Sequence, residues 1–276
     1  MITQRIYLDE NKDDVYLDTY IADGVTGYDY KRKAILVIPG GGYAGVCSDR
    51  EGEPIAMAFM PYGYQGFVLH YSVARKRTFP AQLIEASLAI KHIRDHADEY
   101  RIDPDAVFVT GFSAGGHLTA SVGTLWHLPE IYEAVDMPYG YNKPNGIMPI
   151  YPVISGNKDF AHMGSFCNLF GTDTPTQEQL DMASLEKHVD ERTSPAFLMH
   201  TSADDLVPVE NSLAFASAMA KAGLKFELHI YPDGPHGIAL ANPITSVNLE
   251  GYQDKSVAKW VSAAAEWAER IVNGNK

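Results

Sequence analysis

The sequence predicts an α/β fold with a mostly parallel central sheet, helices on both of its faces and a small inserted lid. Two observations carry this. Short, continuously apolar runs alternate with longer stretches of helical period along most of the 276 residues. The apolar runs also lack the in-out alternation of a strand with one wet face, which is how strands covered on both sides read.

The acidic stretch Asp9–Asp14 and the segment Val15–Ile21 suggest an opening hairpin. Ala34-Ile35-Leu36-Val37-Ile38 is the first strong central strand, and Gly66–Tyr71 is the next. From Pro80 to Tyr100 the pattern is helical. Leu83, Ala86, Ile90 and Ile93 recur at spacings of three and four, and Pro80 suits a helix start. A strand at Ala106–Thr110 leads into a sharp turn and a helix-like run from Gly116 to Trp126. Further strands are expected at Gly146–Tyr151, Ala196–His200 and Phe226–Tyr231, with a helix at Glu210–Ala222 between the last two. Ser256–Ile271 reads as a closing amphipathic helix, with Trp260, Ala264 and Trp267 on one side. The stretch Asn157–Thr193 carries little strand signal and is too long for an ordinary connection. It reads as a lid inserted into a single domain, over the sheet edge where open α/β folds bind ligands.

The net charge of −13 argues against a nucleic-acid partner, which needs a basic face. Cys47 and Cys167 form neither a disulfide framework nor a metal motif. No run approaches the length of a membrane span, and the first residues lack the apolar stretch of a signal peptide. A cytoplasmic protein without a membrane partner is the expectation. The oligomeric state stays open, a homo-oligomer included.

Four segments carry chemistry. Gly111-Phe112-Ser113-Ala114-Gly115 lies between a strand and a helix, where a tight turn lifts a serine hydroxyl out of the sheet. Pro39-Gly40-Gly41-Gly42-Tyr43 ends the first strong strand. Two of its backbone N–H groups could join that of Ala114 to hold an oxyanion, a contribution of about 3 kcal/mol per donor. The turn lacks the Lys-Ser/Thr of a phosphate loop. Asp204 and Asp205 follow the strand ending at His200, and either acid could orient an imidazole. Asp204, four residues before Pro208, is preferred because its place resembles that of the acid in the D-x-x-V-P-type loops of esterases and peptidases; Asp205 reads as a helix cap or a solvated group. His236 lies in the Gly/Pro loop after the last strand and is the candidate base, whereas His229 falls inside the strand pattern. The remaining histidines, His127, His162 and His188 among them, read as surface or core residues. None has the spacing of a metal motif, so no metal and no cofactor are expected. Arg50 and Glu51 read as a surface ion pair or a helix start.

The order Ser113, Asp204, His236 is the nucleophile-acid-base order of α/β-hydrolases. Over residues 33–270 the chain resembles that superfamily, in the branch of small esterases related to hormone-sensitive lipase and to acetyl-xylan or feruloyl esterases. The resemblance rests on Pro39–Tyr43, Gly111–Leu118, Asp204–Ser212 and His236-Gly237, and the stretch Ser48–Pro54 is also similar to that group. It implies oxyanion donors at Gly41, Gly42 and Ala114. Pro39 stands where lipase-like members carry histidine, which moves the chain toward the acetyl-esterase, sugar-ester side. The resemblance implies a serine esterase acting on short-chain, acetyl-type esters, with acetylated sugars or xylo-oligosaccharides as small-molecule substrates. Tyr43, Tyr62, Tyr64 and Tyr151 are candidate stacking faces for a sugar. The alternatives are a peptidase of the prolyl-oligopeptidase type and a non-catalytic hydrolase fold kept for ligand binding.

Overall fold

A computed structural model describes residues 1–9, 11–246 and 249–274. The chain opens with β1 (Ile2–Tyr7) and β2 (Tyr16–Ile21), paired antiparallel as the predicted hairpin. Glu10, in its acidic turn, lies outside the described residues. Next come β3 (Arg32–Ile38), the short helices α1 (Ser48–Glu51) and α2 (Glu53–Phe59), and β4 (Tyr64–His70). Then follow α3 (Ala81–Asp95), β5 (Ile102–Phe112), α4 (Ala114–Leu125), α5 (Pro129–Ala134) and β6 (Gly146–Ile150). Helices α6 (Met163–Phe170) and α7 (Gln177–Met182) precede β7 (Ala196–Thr201). The chain closes with α8 (Glu210–Lys221), β8 (Phe226–Tyr231) and α9 (Trp260–Gly274).

The strands form one eight-stranded sheet in the order β1-β2-β4-β3-β5-β6-β7-β8. Only the β1–β2 and β2–β4 pairs are antiparallel. Period-two geometry sends successive side chains of a strand to opposite faces. Ala34, Leu36 and Ile38 of β3 therefore join one core with α3, α4 and α8, and Ile35 and Val37 join the other with α2 and α9. This is why the strand reads as an unbroken apolar run.

Three details differ from the sequence reading. Strand β5 begins at Ile102 rather than Ala106, because Arg32 pairs with Ile102 across an irregularity in register. That pairing draws Asp103, Pro104 and Asp105, all turn formers by themselves, into the strand. Helix α5 is six residues long and too short to show a period. The 157–193 stretch holds no strand; it contains α6 and α7, with a Thr176 capping box starting α7.

The topology places the site. The chain runs from β3 to β4 on one side, then returns to β5 on the other side of β3. Strand order reverses there, so the loops after β3 and β5 part and leave a crevice at their carboxyl ends. Gly40–Gly42 leaves β3 and Ser113 leaves β5 at that crevice.

Candidate active site

Ser113 occupies the turn between β5 and α4 with φ 54° and ψ −118°, a left-sided backbone conformation unfavourable to a side chain. The fold holds it there by backbone bonds on both sides. Ser113 N–H donates to Ile150 C=O at 3.1 Å, and Ser113 C=O accepts from His117 and Val153 N–H. Gly115 lets the turn pack against the neighbouring strand. A Cβ there would stand 2.1 Å from the Ile38 oxygen and 2.4 Å from the Pro39 oxygen.

The three residues proposed for acyl transfer meet, although they are up to 123 positions apart. His236 Nε2 lies 2.8 Å from Ser113 Oγ, and His236 Nδ1 lies 2.7 Å from Asp204 Oδ2. Asp204, not Asp205, reaches the imidazole. Its Oδ1 is taken by the N–H groups of Leu206 and Val207 at 3.0 and 2.9 Å, which turns Oδ2 toward His236. Burial alone would raise the Asp204 carboxyl; hydrogen bonds from His200 and His236 outweigh it and hold the group well below the usual carboxylate range. Asp205 stands at the rim of the cavity, and His229 is engaged with Glu227 on β8. The histidine loop is fixed by Thr201, whose hydroxyl donates to Gly234 C=O at 2.7 Å, and by the Tyr252 hydroxyl, which donates to His236 C=O at 3.2 Å.

Beside Ser113, Gly41 has φ 131°, and a Cβ there would stand 2.3 Å from the Gly45 oxygen, so only glycine fits the turn. The N–H groups of Gly41, Gly42 and Ala114 have no acceptor among the described residues. The carbonyls of the same turn are engaged: Gly41 C=O accepts from Ala44 and Gly45, and Gly42 C=O accepts from the Asn168 side chain at 2.9 Å. Gly41 and Gly42 thus have their carbonyls engaged and their N–H groups free among the described residues.

These groups open onto a cavity of about 610 Å³, whose walls include Ser113, His236, Arg50, Cys47, His162 and Tyr252. Several of these depart from the sequence reading. His162, read as an ordinary core or surface residue, stands in the wall with Nδ1 2.8 Å from Ser165 Oγ. Tyr43, Tyr64 and Tyr151 are fully buried and offer no face to a sugar. Tyr62 is exposed and forms no part of this wall, whereas Tyr252 does. Glu51 is no surface ion-pair partner: it ends α1 with a relative exposure of 3%. A buried acid followed by glycine in a four-residue helix gives no periodic signal from which this could be read.

The comparisons decide the lineage. The BD-FAE family model matches residues 17–219. The chain belongs to the BD-FAE family. It is an α/β-hydrolase of the esterase branch. It is similar to the endo-1,4-beta-xylanase B of Butyrivibrio fibrisolvens, with 38% identity over 221 residues, covering 78% of this chain and 34% of that protein. With the acetylxylan esterase of Xylanibacter ruminicola, the identity is 32% over 212 residues, covering 74% of this chain and 41% of that protein. The chain thus matches well under half the length of both curated relatives. Among solved structures, the acetyl ester-xyloside bifunctional hydrolase of Caldicellulosiruptor lactoaceticus superposes with a TM-score of 0.81 at 37% identity. That match covers 97% of this chain and 96% of the other.

Proposed function

We propose that this BD-FAE member is a serine esterase that hydrolyses short-chain, acetyl-type esters, with acetylated sugars or xylo-oligosaccharides as the substrate class. The observation that carries the reading is the hydrogen-bonded series Ser113–His236–Asp204, set beside free N–H donors at the mouth of one cavity.

The geometry supports a two-step acyl transfer. His236 Nε2 takes the proton of Ser113 Oγ as the oxygen bonds to the ester carbonyl carbon. The carbonyl oxygen gains negative charge and is held by the N–H groups of Gly41, Gly42 and Ala114. Collapse breaks the bond to the alcohol oxygen, which leaves with the proton from His236. Water then gives a proton to His236 and attacks the acyl carbon. Breaking the bond to Ser113 frees the acid and restores the hydroxyl. Asp204 keeps the imidazole in the tautomer whose Nε2 accepts. The segment 157–193 acts as the lid, supplying His162 to the wall and the Asn168 bond to Gly42. The acetyl and sugar preferences are supported by Pro39 at the strand end and by the xylan-related proteins to which the chain is similar.

Ser113→Ala is expected to leave a folded protein without 4-nitrophenyl acetate turnover; near-wild-type turnover sinks the nucleophile assignment. A panel of acetylated sugars and 4-nitrophenyl esters of increasing length tests the substrate class. Activity is expected to fall with acyl length, and a preference for long chains overturns the acetyl reading.

A further inference from the structure

Glu51 has no part in the acyl-transfer steps, yet both oxygens of its buried carboxylate are held by hydrogen bonds. Gly40 N–H donates to its Oε2 at 2.8 Å, and the Tyr151 hydroxyl donates to its Oε1 at 2.8 Å. The Tyr151 oxygen also accepts from Ala239 N–H at 3.1 Å. Tyr151 has a single hydroxyl proton, and it goes to Glu51. Both carboxylate oxygens accept; burial pushes the Glu51 carboxyl up, and these two hydrogen bonds oppose that shift. Arg50 adds a neighbouring positive charge, and its Nη1 approaches Gly237 C=O at 3.5 Å.

The two ends of this chain matter. Gly40 directly precedes the oxyanion donors Gly41 and Gly42, and Ala239 lies three residues beyond His236. The Tyr151 ring also packs edge-on against the His236 imidazole, with centroids 5.2 Å apart. Tyr151 itself is held at φ 35°, just past β6. Four segments distant in sequence are thus joined through one buried carboxylate.

We propose that Glu51 is a positioning residue: by joining Gly40 to Tyr151 and Ala239, its carboxylate fixes the oxyanion turn and the histidine loop relative to each other. The inference rests on the esterase reading above. In that chemistry negative charge grows at the oxyanion turn while positive charge grows on His236. Both loops must be in register at the same moment, and misplacement by an ångström is enough to lose a large part of the rate.

The test uses Glu51→Ala, Glu51→Gln, Tyr151→Phe and the double variant Glu51→Ala/Tyr151→Phe. Readouts are kcat and KM on 4-nitrophenyl acetate, fluorophosphonate labelling of Ser113, and thermal unfolding. In Glu51→Ala, kcat is expected to fall about a hundredfold while KM changes by less than about threefold. Glu51→Gln recovers part of the loss, since its amide oxygen still accepts one of the two donors. The double variant is no slower than Glu51→Ala, because both changes break one chain. A folded Glu51→Ala with kcat within about twofold of wild type overturns the proposal. So do losses that add fully in the double variant. If Glu51→Ala does not fold, the near-isosteric Glu51→Gln and Tyr151→Phe decide: unchanged kcat in both overturns it, and lowered kcat at constant KM supports it. Failure of the parent reading looks different: the wild type itself then neither turns over the ester nor labels at Ser113, and the role assigned to Glu51 falls with it.

Discussion

Asp204 and Asp205 are adjacent, equally charged and equally plausible partners for a histidine by residue type. Only one is built into the site. The Leu206 and Val207 N–H groups hold one oxygen of Asp204 and aim the other at His236. The expected outcome is therefore asymmetric. Asp204→Asn should lower kcat by about 10⁴-fold, through loss of the imidazole tautomer. Asp205→Asn should change it by no more than a few-fold; steady-state kinetics on one ester separates the two, and equal losses would refute the assignment. The positions of Ser113, the glycines and His236 are legible in the sequence because each stands at the end of an apolar run. Glu51 and His162 are not, since their roles come from segments that meet only when the chain is folded.

Element packing accounts for the sharpness of the Ser113 turn. Helix α4 is buried along its whole length and lies against β5 and β6. Its first turn approaches the end of β3 so closely that Gly115 has no room for a methyl group. Gly115→Ala is expected to destabilise the protein by about 1–3 kcal/mol, as overpacking does. Activity should fall as well, because the helix that begins at Ala114 must shift. Urea unfolding and ester turnover measure the two effects, and an unchanged unfolding midpoint would count against this packing account. At this scale the sequence reading found the main central strands and the long helices. It missed α5, α6, α7 and the first residues of β5. The helices are too short to show a sustained period, and the β5 residues become a strand only by pairing with β3.

For the whole molecule, two buried groups contribute to acid sensitivity. His117 is tied to the Tyr43 hydroxyl through Nδ1 and to Ala183 C=O through Nε2, each at 2.8 Å, so it bridges the Gly40–Tyr43 turn, α4 and the 157–193 segment. Desolvation pushes its pKa down to about 4, against the opposing bond to Ala183. The unfolded histidine takes up its proton near pH 6.5, so falling pH favours the unfolded chain from there down to about 4. This amounts to on the order of 3 kcal/mol at most. Asp204 acts lower: its contribution is complete above about pH 4 and is lost as pH falls further, because its folded carboxyl is depressed. Urea unfolding of the wild type against pH should show stability declining below about pH 6.5. His117→Gln should start less stable and show a shallower decline; identical slopes would remove His117 as the cause. Among the described residues no helix is long and apolar enough to cross a membrane. The sequence by itself determined the sheet, its covered faces and the order of the proposed nucleophile, acid and base, because periodicity and turn chemistry are local. The tertiary structure alone decided which histidine and tyrosine line the cavity, and that a buried glutamate stands between the two loops. Those are contacts between residues far apart in the chain, set by the point where strand order reverses, and no local pattern encodes them.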